Sequence, residues 1–285
     1  MTTGEFVTKK RYIWRARALR LLRERACVRY ARQAVPRTID GVHIEFPETE
    51  ISWGLYVTVR SRRLAGRELF EMLYEQEMRE MALDMGVIAL KALHAVDVAS
   101  APLGLFSTVY RLVRGPRVAL SEMLGSRVLS TDQRRELNRL VASSVVDRGG
   151  KKVLLHGDLH ASHLIVDIEK RSLGFIDLEA MRIGKAATSF AQLWIGYHFA
   201  DSLLGQRFYQ QYAAQCSDLL DEQFDTDVRT EIALRSYSLM QVGKRSGNQE
   251  MEGKARILLA GVLSGASFEG MCLGGVPHGN TESIP

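Results

Sequence analysis

The chain has 285 residues, 46% apolar and 25% charged, with a net charge of +5. That make-up describes a globular protein with a core large enough to fold alone, and it excludes a disordered or fibrous chain. Its three cysteines, Cys27, Cys216 and Cys272, are scattered with no CxxC or Cys/His spacing, which points away from a disulfide framework or zinc site and toward a reducing, cytoplasmic location.

No apolar stretch of the secretory kind follows Met1, and Ile257 to Phe268, interrupted by Gly261 and Gly265, is too short to span a bilayer. Charge is uneven. Met1 to Arg67 holds fifteen Lys+Arg against six Asp+Glu, a net of +9, which leaves −4 for the remainder of the +5 chain. A basic first part beside a mildly acidic second part suits an anion-binding lobe next to one that takes something else. The plainer alternative is that Arg11, Arg15, Arg17, Arg20, Arg23 and Arg25 are the wet face of a helix.

In chain order, Glu5 to Tyr12 reads as a strand. Arg15 to Arg32 reads as a helix, with Leu19, Leu22, Ala26 and Tyr30 at 3–4 spacing before Pro36. Val42 to Phe46 and Trp53 to Val59 read as strands around a turn at Pro47 to Glu50. One helix is expected from Arg67 to Val96, then two more near Phe106 to Leu124 and Thr131 to Val146. For the last, Thr131 with Glu136 makes only half a capping signal. Helices fill most of Ala186 to Val262, and the residues from Gly270 are glycine-rich.

The segment from Leu154 to Glu179 carries the chemistry. Apolar Val153 to Leu155 leads into His156-Gly157-Asp158, and Leu164 to Val166 with Leu173 to Ile176 flank a polar turn, the pattern of a β-hairpin. Asp158 and Asp177 therefore sit just outside buried strands, where a rigid scaffold can hold reactive groups. One carboxylate to accept a hydroxyl proton and one to hold a metal on a triphosphate are the minimum apparatus of phosphoryl transfer.

These residues resemble the catalytic and metal-binding segments of the kinase-like phosphotransferases, the superfamily of aminoglycoside phosphotransferases and choline kinases. The pattern there is His-Gly-Asp, four residues, Asn, then a hairpin ending in Ile-Asp. Leu93 to Asp97, Gly184 to Trp194 and Phe208 to Tyr212 resemble further segments, so the likeness runs from about Lys9 to Tyr212.

The resemblance implies ATP and Mg2+ as cofactors. It implies Asp158 as catalytic base, Asp177 as metal ligand, and Glu179 as a second ligand or its neighbour. Lys9 would contact nucleotide phosphates with Glu24 as its ion-pair partner, although alternation lets only one of Lys9 and Lys10 face inward. His156 would orient the loop.

Three departures stand out. His163 occupies the position of the Asn that serves as second metal ligand, so the resemblance implies it as a metal ligand. Imidazole, however, suits zinc, copper or iron better than magnesium, and the alternative is a histidine hydrogen-bonded under the hairpin; lipopolysaccharide-core kinases are similar in keeping a His there. Ser189 stands where an Asp braces the catalytic loop. Only Met1 to Glu5, with the single Gly4, precede the lysine strand, where a glycine-rich turn covers the phosphates.

The expected fold is α+β and bilobal, protein-kinase-like, with a truncated β-rich lobe (residues 1–64) and a mainly helical lobe (residues 65–285). The expected function is ATP-dependent transfer of a phosphoryl group to a hydroxyl of a small molecule or saccharide. The alternative is a catalytically impaired kinase-fold binding protein. A cationic acceptor would want the acidic cluster Asp218, Asp221, Glu222, Asp225 and Asp227, whereas a glycolipid acceptor would bring the basic Arg11 to Arg37 region to an anionic surface. No specific nucleic-acid partner is expected, since positive charge alone lacks a recognition motif.

Overall fold

The computed structural model describes residues 6–12, 16–52, 56–101, 123, 129–145, 151–265, 267–268 and 270–271. The helix expected near Phe106 to Leu124 lies, apart from Met123, outside them. The chain forms two compact units: Met1–Val113 with Lys151–Gly196, and Arg114–Gly150 with Tyr197–Pro285. This division differs from the lobe boundary expected at residue 64, because it groups the catalytic segment with the N-terminal part of the chain.

In the first unit, β1 (Phe6–Tyr12), β5 (Tyr56–Arg62) and β4 (Thr49–Ser52) make a three-stranded antiparallel sheet in the order β1-β5-β4. Helix α1 (Ala16–Ala34) packs on it, with Leu21 against Val59. The turn expected at Pro47 to Glu50 is shorter than drawn, since β4 already begins at Thr49.

A second sheet runs β2-β3-β9-β8-β6. It joins the hairpin β2 (Thr38–Ile39) and β3 (Val42–Glu45) to the expected hairpin β8 (Leu164–Asp167) and β9 (Ser172–Phe175), with β3 and β9 parallel. Phe46 stacks on Phe175 with ring centroids 5.4 Å apart. Strands β7 (Lys152–Leu155) and β10 (Arg182–Lys185) form a separate antiparallel pair.

The single helix expected over Arg67 to Val96 is divided. Arg67–Glu68 is a strand, β6, that pairs with β8; α2 covers Leu69–Tyr74, and α3 covers Arg79–His94. Glu75 between them is extended, and its carboxylate accepts from the Arg67 guanidinium at 3.0 Å. The apolar periodicity continues across the break because Leu69, Met72, Leu73, Leu83, Val87 and Leu90 all enter the same core.

The second unit is helical: α4 (Thr131–Val145), α6 (Ser202–Gln215), α7 (Phe224–Ser246) and α8 (Gln249–Val262), joined to the first by α5 (Ala186–Ala200). The N-terminus of α4 carries a full capping box, one residue earlier than Thr131. Ser130 Oγ accepts from the Gln133 N–H at 3.2 Å, and the Gln133 side chain accepts from the Ser130 N–H at 3.0 Å. Arg229 of α7, with its side chain 4% exposed, donates to Glu136 of α4 at 2.7 Å and to the Val262 carbonyl at 2.8 Å.

Both described cysteines, Cys27 and Cys216, are buried free thiols. No helix among the described residues is long and apolar enough to cross a membrane.

Truncating Glu136 would leave the Arg229 charge buried without its carboxylate. Glu136→Ala is therefore expected to cost about 3–5 kcal/mol in denaturant unfolding, whereas Ser130→Ala should cost only about 1 kcal/mol.

Candidate active site

Strand β7 delivers the catalytic loop. Its side chains Val153, Leu154 and Leu155 are buried, so the chain emerges from a fixed core directly into His156-Gly157-Asp158. His156 is fully buried, with Nε2 2.8 Å from the Ile176 carbonyl. A carbonyl only accepts, so Nε2 carries the proton, and Nδ1 is left without a hydrogen-bond partner among the described residues. Burial pushes its pKa down to about 4, which keeps the ring neutral. His156 thus ties the segment after β7 to the residue before Asp177.

Gly157 adopts φ +88°, and a Cβ there would lie 1.9 Å from the Ala180 carbonyl oxygen. Only glycine permits so close a crossing of the two loops. Asp177 itself sits in the left-handed region at φ 60°, ψ 49°, immediately before a 3-10 turn at Leu178–Ala180. Asp tolerates this conformation better than most side chains, and such backbone outliers gather where geometry is functionally constrained.

Helix α1 closes the other side of this turn. The Arg23 guanidinium donates to the Glu179 carbonyl and, at 2.6 Å, to the Met181 carbonyl, and burial lowers its pKa. Arg23 is therefore a structural tie and not part of a solvated face. On the next position Glu24, 5% exposed, brings a carboxylate oxygen within 4.8 Å of those of Asp177 and Glu179.

His163 ties the two carboxylate loops through backbone hydrogen bonds: its Nδ1 donates to the Asp158 carbonyl at 2.8 Å, its own carbonyl accepts from the Ile176 N–H at 3.0 Å, and its Nε2 lies 3.8 Å from Asp177 Oδ2. His160, unassigned by sequence, places Nε2 3.2 Å from Asp158 Oδ1.

Sequence reasoning missed Gln192. This side chain of α5, 5% exposed, accepts from the Leu159 N–H at 2.7 Å and donates to the Gly157 carbonyl at 3.4 Å. It braces the backbone on both sides of Asp158, the task expected of an acid at Ser189. Ser189 instead meets buried His94 at 2.7 Å. The available signal was one amide inside the apolar run Phe190 to Ile195.

Lys9 lies in β1 with its Cα opposite Val59. A cavity of about 400 Å³ is lined by Arg32, Arg37, His43, Arg62 and Lys170 among others, and none of the candidate residues borders it. In the second unit, part of the acidic cluster has structural work. Asp221 caps the Gln223 N–H, Asp225 accepts from the Phe268 N–H, and Asp227 is buried.

The sequence profile described as the phosphotransferase enzyme family matches residues 4–224. The chain belongs to the phosphotransferase enzyme family. Solved structures agree on the fold. An APH(2")-IIia complex with GDP and kanamycin is 18% identical, with 90% of this chain and 86% of that one covered at a TM-score of 0.59. A thermostable mutant of aminoglycoside phosphotransferase APH(4)-Ia with AMP-PNP and hygromycin B is 13% identical, with 93% and 89% covered and a TM-score of 0.61. APH(3'')-Id from Streptomyces rimosus, with ADP and streptomycin, is 20% identical, with 81% and 88% covered and a TM-score of 0.55. No curated protein sequence matches.

Like these phosphotransferases, the chain has a sheet-containing N-terminal region and a helix-rich C-terminal region.

Two outcomes follow from the loop geometry. Gln192→Leu removes both brace bonds and is expected to destabilise the protein by about 1–3 kcal/mol, read as a lower denaturant midpoint. Below pH 6.5 the unfolded chain takes up a proton that buried His156 refuses until about pH 4. Stability is then complete above that window and falls by about 3 kcal/mol as pH drops through it; a His156→Asn variant should lose that part of the pH dependence.

Proposed function

We propose that this protein transfers the γ-phosphoryl group of ATP to a hydroxyl of a small molecule or saccharide, with Asp158 as the base and Asp177 as the principal metal ligand. The observation that supports this reading is His163, whose ring donates to the Asp158 carbonyl at 2.8 Å and whose own carbonyl accepts from the Ile176 N–H at 3.0 Å, one residue before Asp177. These bonds hold the two acidic loops in one arrangement, and phosphoryl transfer consists mainly of positioning and charge stabilisation.

The donor set fits magnesium. Glu24, Asp177 and Glu179 offer carboxylate oxygens within 4.8 Å of one another, and carboxylate oxygens are the hard ligands that magnesium takes. Held by these carboxylates, magnesium would supply positive charge that offsets the negative charge developing on transfer. His163 would stand beside this set, its Nε2 3.8 Å from Asp177 Oδ2.

In the transfer itself, Asp158 orients the acceptor hydroxyl and takes its proton, while Gln192 and His163 hold its backbone in place. Lys9 is the preferred phosphate contact over Lys10. Its register opposite Val59, whose side chain packs on α1, the helix that carries Glu24, supports that choice. The structural relatives whose complexes hold aminoglycosides make sugar-like acceptors the first class to screen.

Calorimetric titration with Mg-ATP, followed by acceptor screening, tests the reading. The wild-type chain should bind Mg-ATP, and Asp177→Ala should abolish that binding. Asp158→Ala should keep binding and the fold while turnover falls by about 10²–10⁴-fold. Undiminished turnover in Asp158→Ala would remove it as the base. Nucleotide binding without turnover on any acceptor would favour the binding-protein alternative.

A further inference from the structure

We propose that Asp158, His160 and His163 form a second metal site, selective for a zinc-like first-row transition ion, and that filling it withdraws Asp158 from catalysis. One ligand atom from each of the three lies within 4.8 Å of the others. His160 Nε2 and Asp158 Oδ1 are 3.2 Å apart, close to the roughly 3.3 Å edge of a tetrahedron with 2.0–2.1 Å bonds.

The imidazoles are prepared for this role. His163 Nδ1 is committed to the Asp158 carbonyl at 2.8 Å, the backbone hydrogen bond that commonly fixes a metal-binding imidazole with Nε2 free to ligate. His160 Nδ1 has the Ser162 hydroxyl at 3.2 Å, which lets its Nε2 likewise carry the lone pair toward Asp158. The two rings lie with centroids 4.1 Å apart.

The neighbouring group of Glu24, Asp177 and Glu179 supplies only oxygen. The loops therefore present two sites of different character side by side: carboxylates for a hard ion, and two imidazoles with one carboxylate for a softer one. His163 lies at the boundary, 3.8 Å from Asp177 Oδ2, so an ion held by His160 and His163 competes for it.

Only the inhibitory consequence rests on the phosphotransferase reading. A bound ion would occupy the Asp158 oxygen that must accept the hydroxyl proton, so zinc should inhibit turnover and a chelator should restore it.

The test uses the full chain, tag-free and stripped of metal, titrated with Co2+ while its visible absorption is recorded. The expected result is an intense d–d spectrum of low-coordinate Co2+ that Zn2+ displaces and excess Mg2+ does not. His160→Ala and, separately, His160→Gln should weaken binding by at least about tenfold, with circular dichroism unchanged. Asp177→Ala should keep the spectrum. A weak octahedral spectrum, or one that survives in folded His160→Ala or His160→Gln, would overturn the site. Because the spectrum needs neither nucleotide nor acceptor, it reports on the site even if the protein proves to have no transferase activity. Zinc inhibition that persists unchanged in His160→Gln would overturn the link to Asp158.

Discussion

The close crossing of two loops at Gly157 governs the site. A side chain at that position would collide with the Ala180 carbonyl, so the backbone before Asp158 and the backbone after Asp177 form one packed object. Once they touch, neither acidic loop can move without the other. His156 to Ile176, Gln192 to Leu159 and Arg23 to Met181 fasten the pair from three directions. The two acidic side chains are thereby carried on backbone that is fixed by packing and hydrogen bonds.

His163 adds a further tie, since its Nδ1 donates to the Asp158 carbonyl and its own carbonyl accepts from the Ile176 N–H. Gln192, one turn beyond Ser189 on α5, reaches the same loop and bonds the backbone on both sides of Asp158.

Much of the fold was legible where short-range signals were strong. The hairpin β8–β9, helix α1 and the strand leading to Asp158 follow from period-two and 3–4 apolar spacing over a few residues. The segment Arg67 to His94 was harder. Its apolar rhythm is continuous, but Arg67–Glu68 answers to a distant partner, β8, and a two-residue strand leaves no periodic trace. Arg23 read as one more arginine on a basic face, since its carbonyl partners lie more than a hundred residues away.

The sequence by itself determined the reactive inventory: Asp158 and Asp177 at strand ends, Glu24 on the first long helix, and a histidine in place of asparagine at position 163. Those are properties of residue type and local spacing. The tertiary structure decided which of these groups meet, through β3 pairing with β9, α1 docking on the turn after Asp177, and Gln192 reaching the catalytic loop. It also brought His160 and His163 together over Asp158. Such encounters rest on contacts between distant parts of the chain and on the orientation of individual side chains, and neither is encoded in the periodicity of a short window.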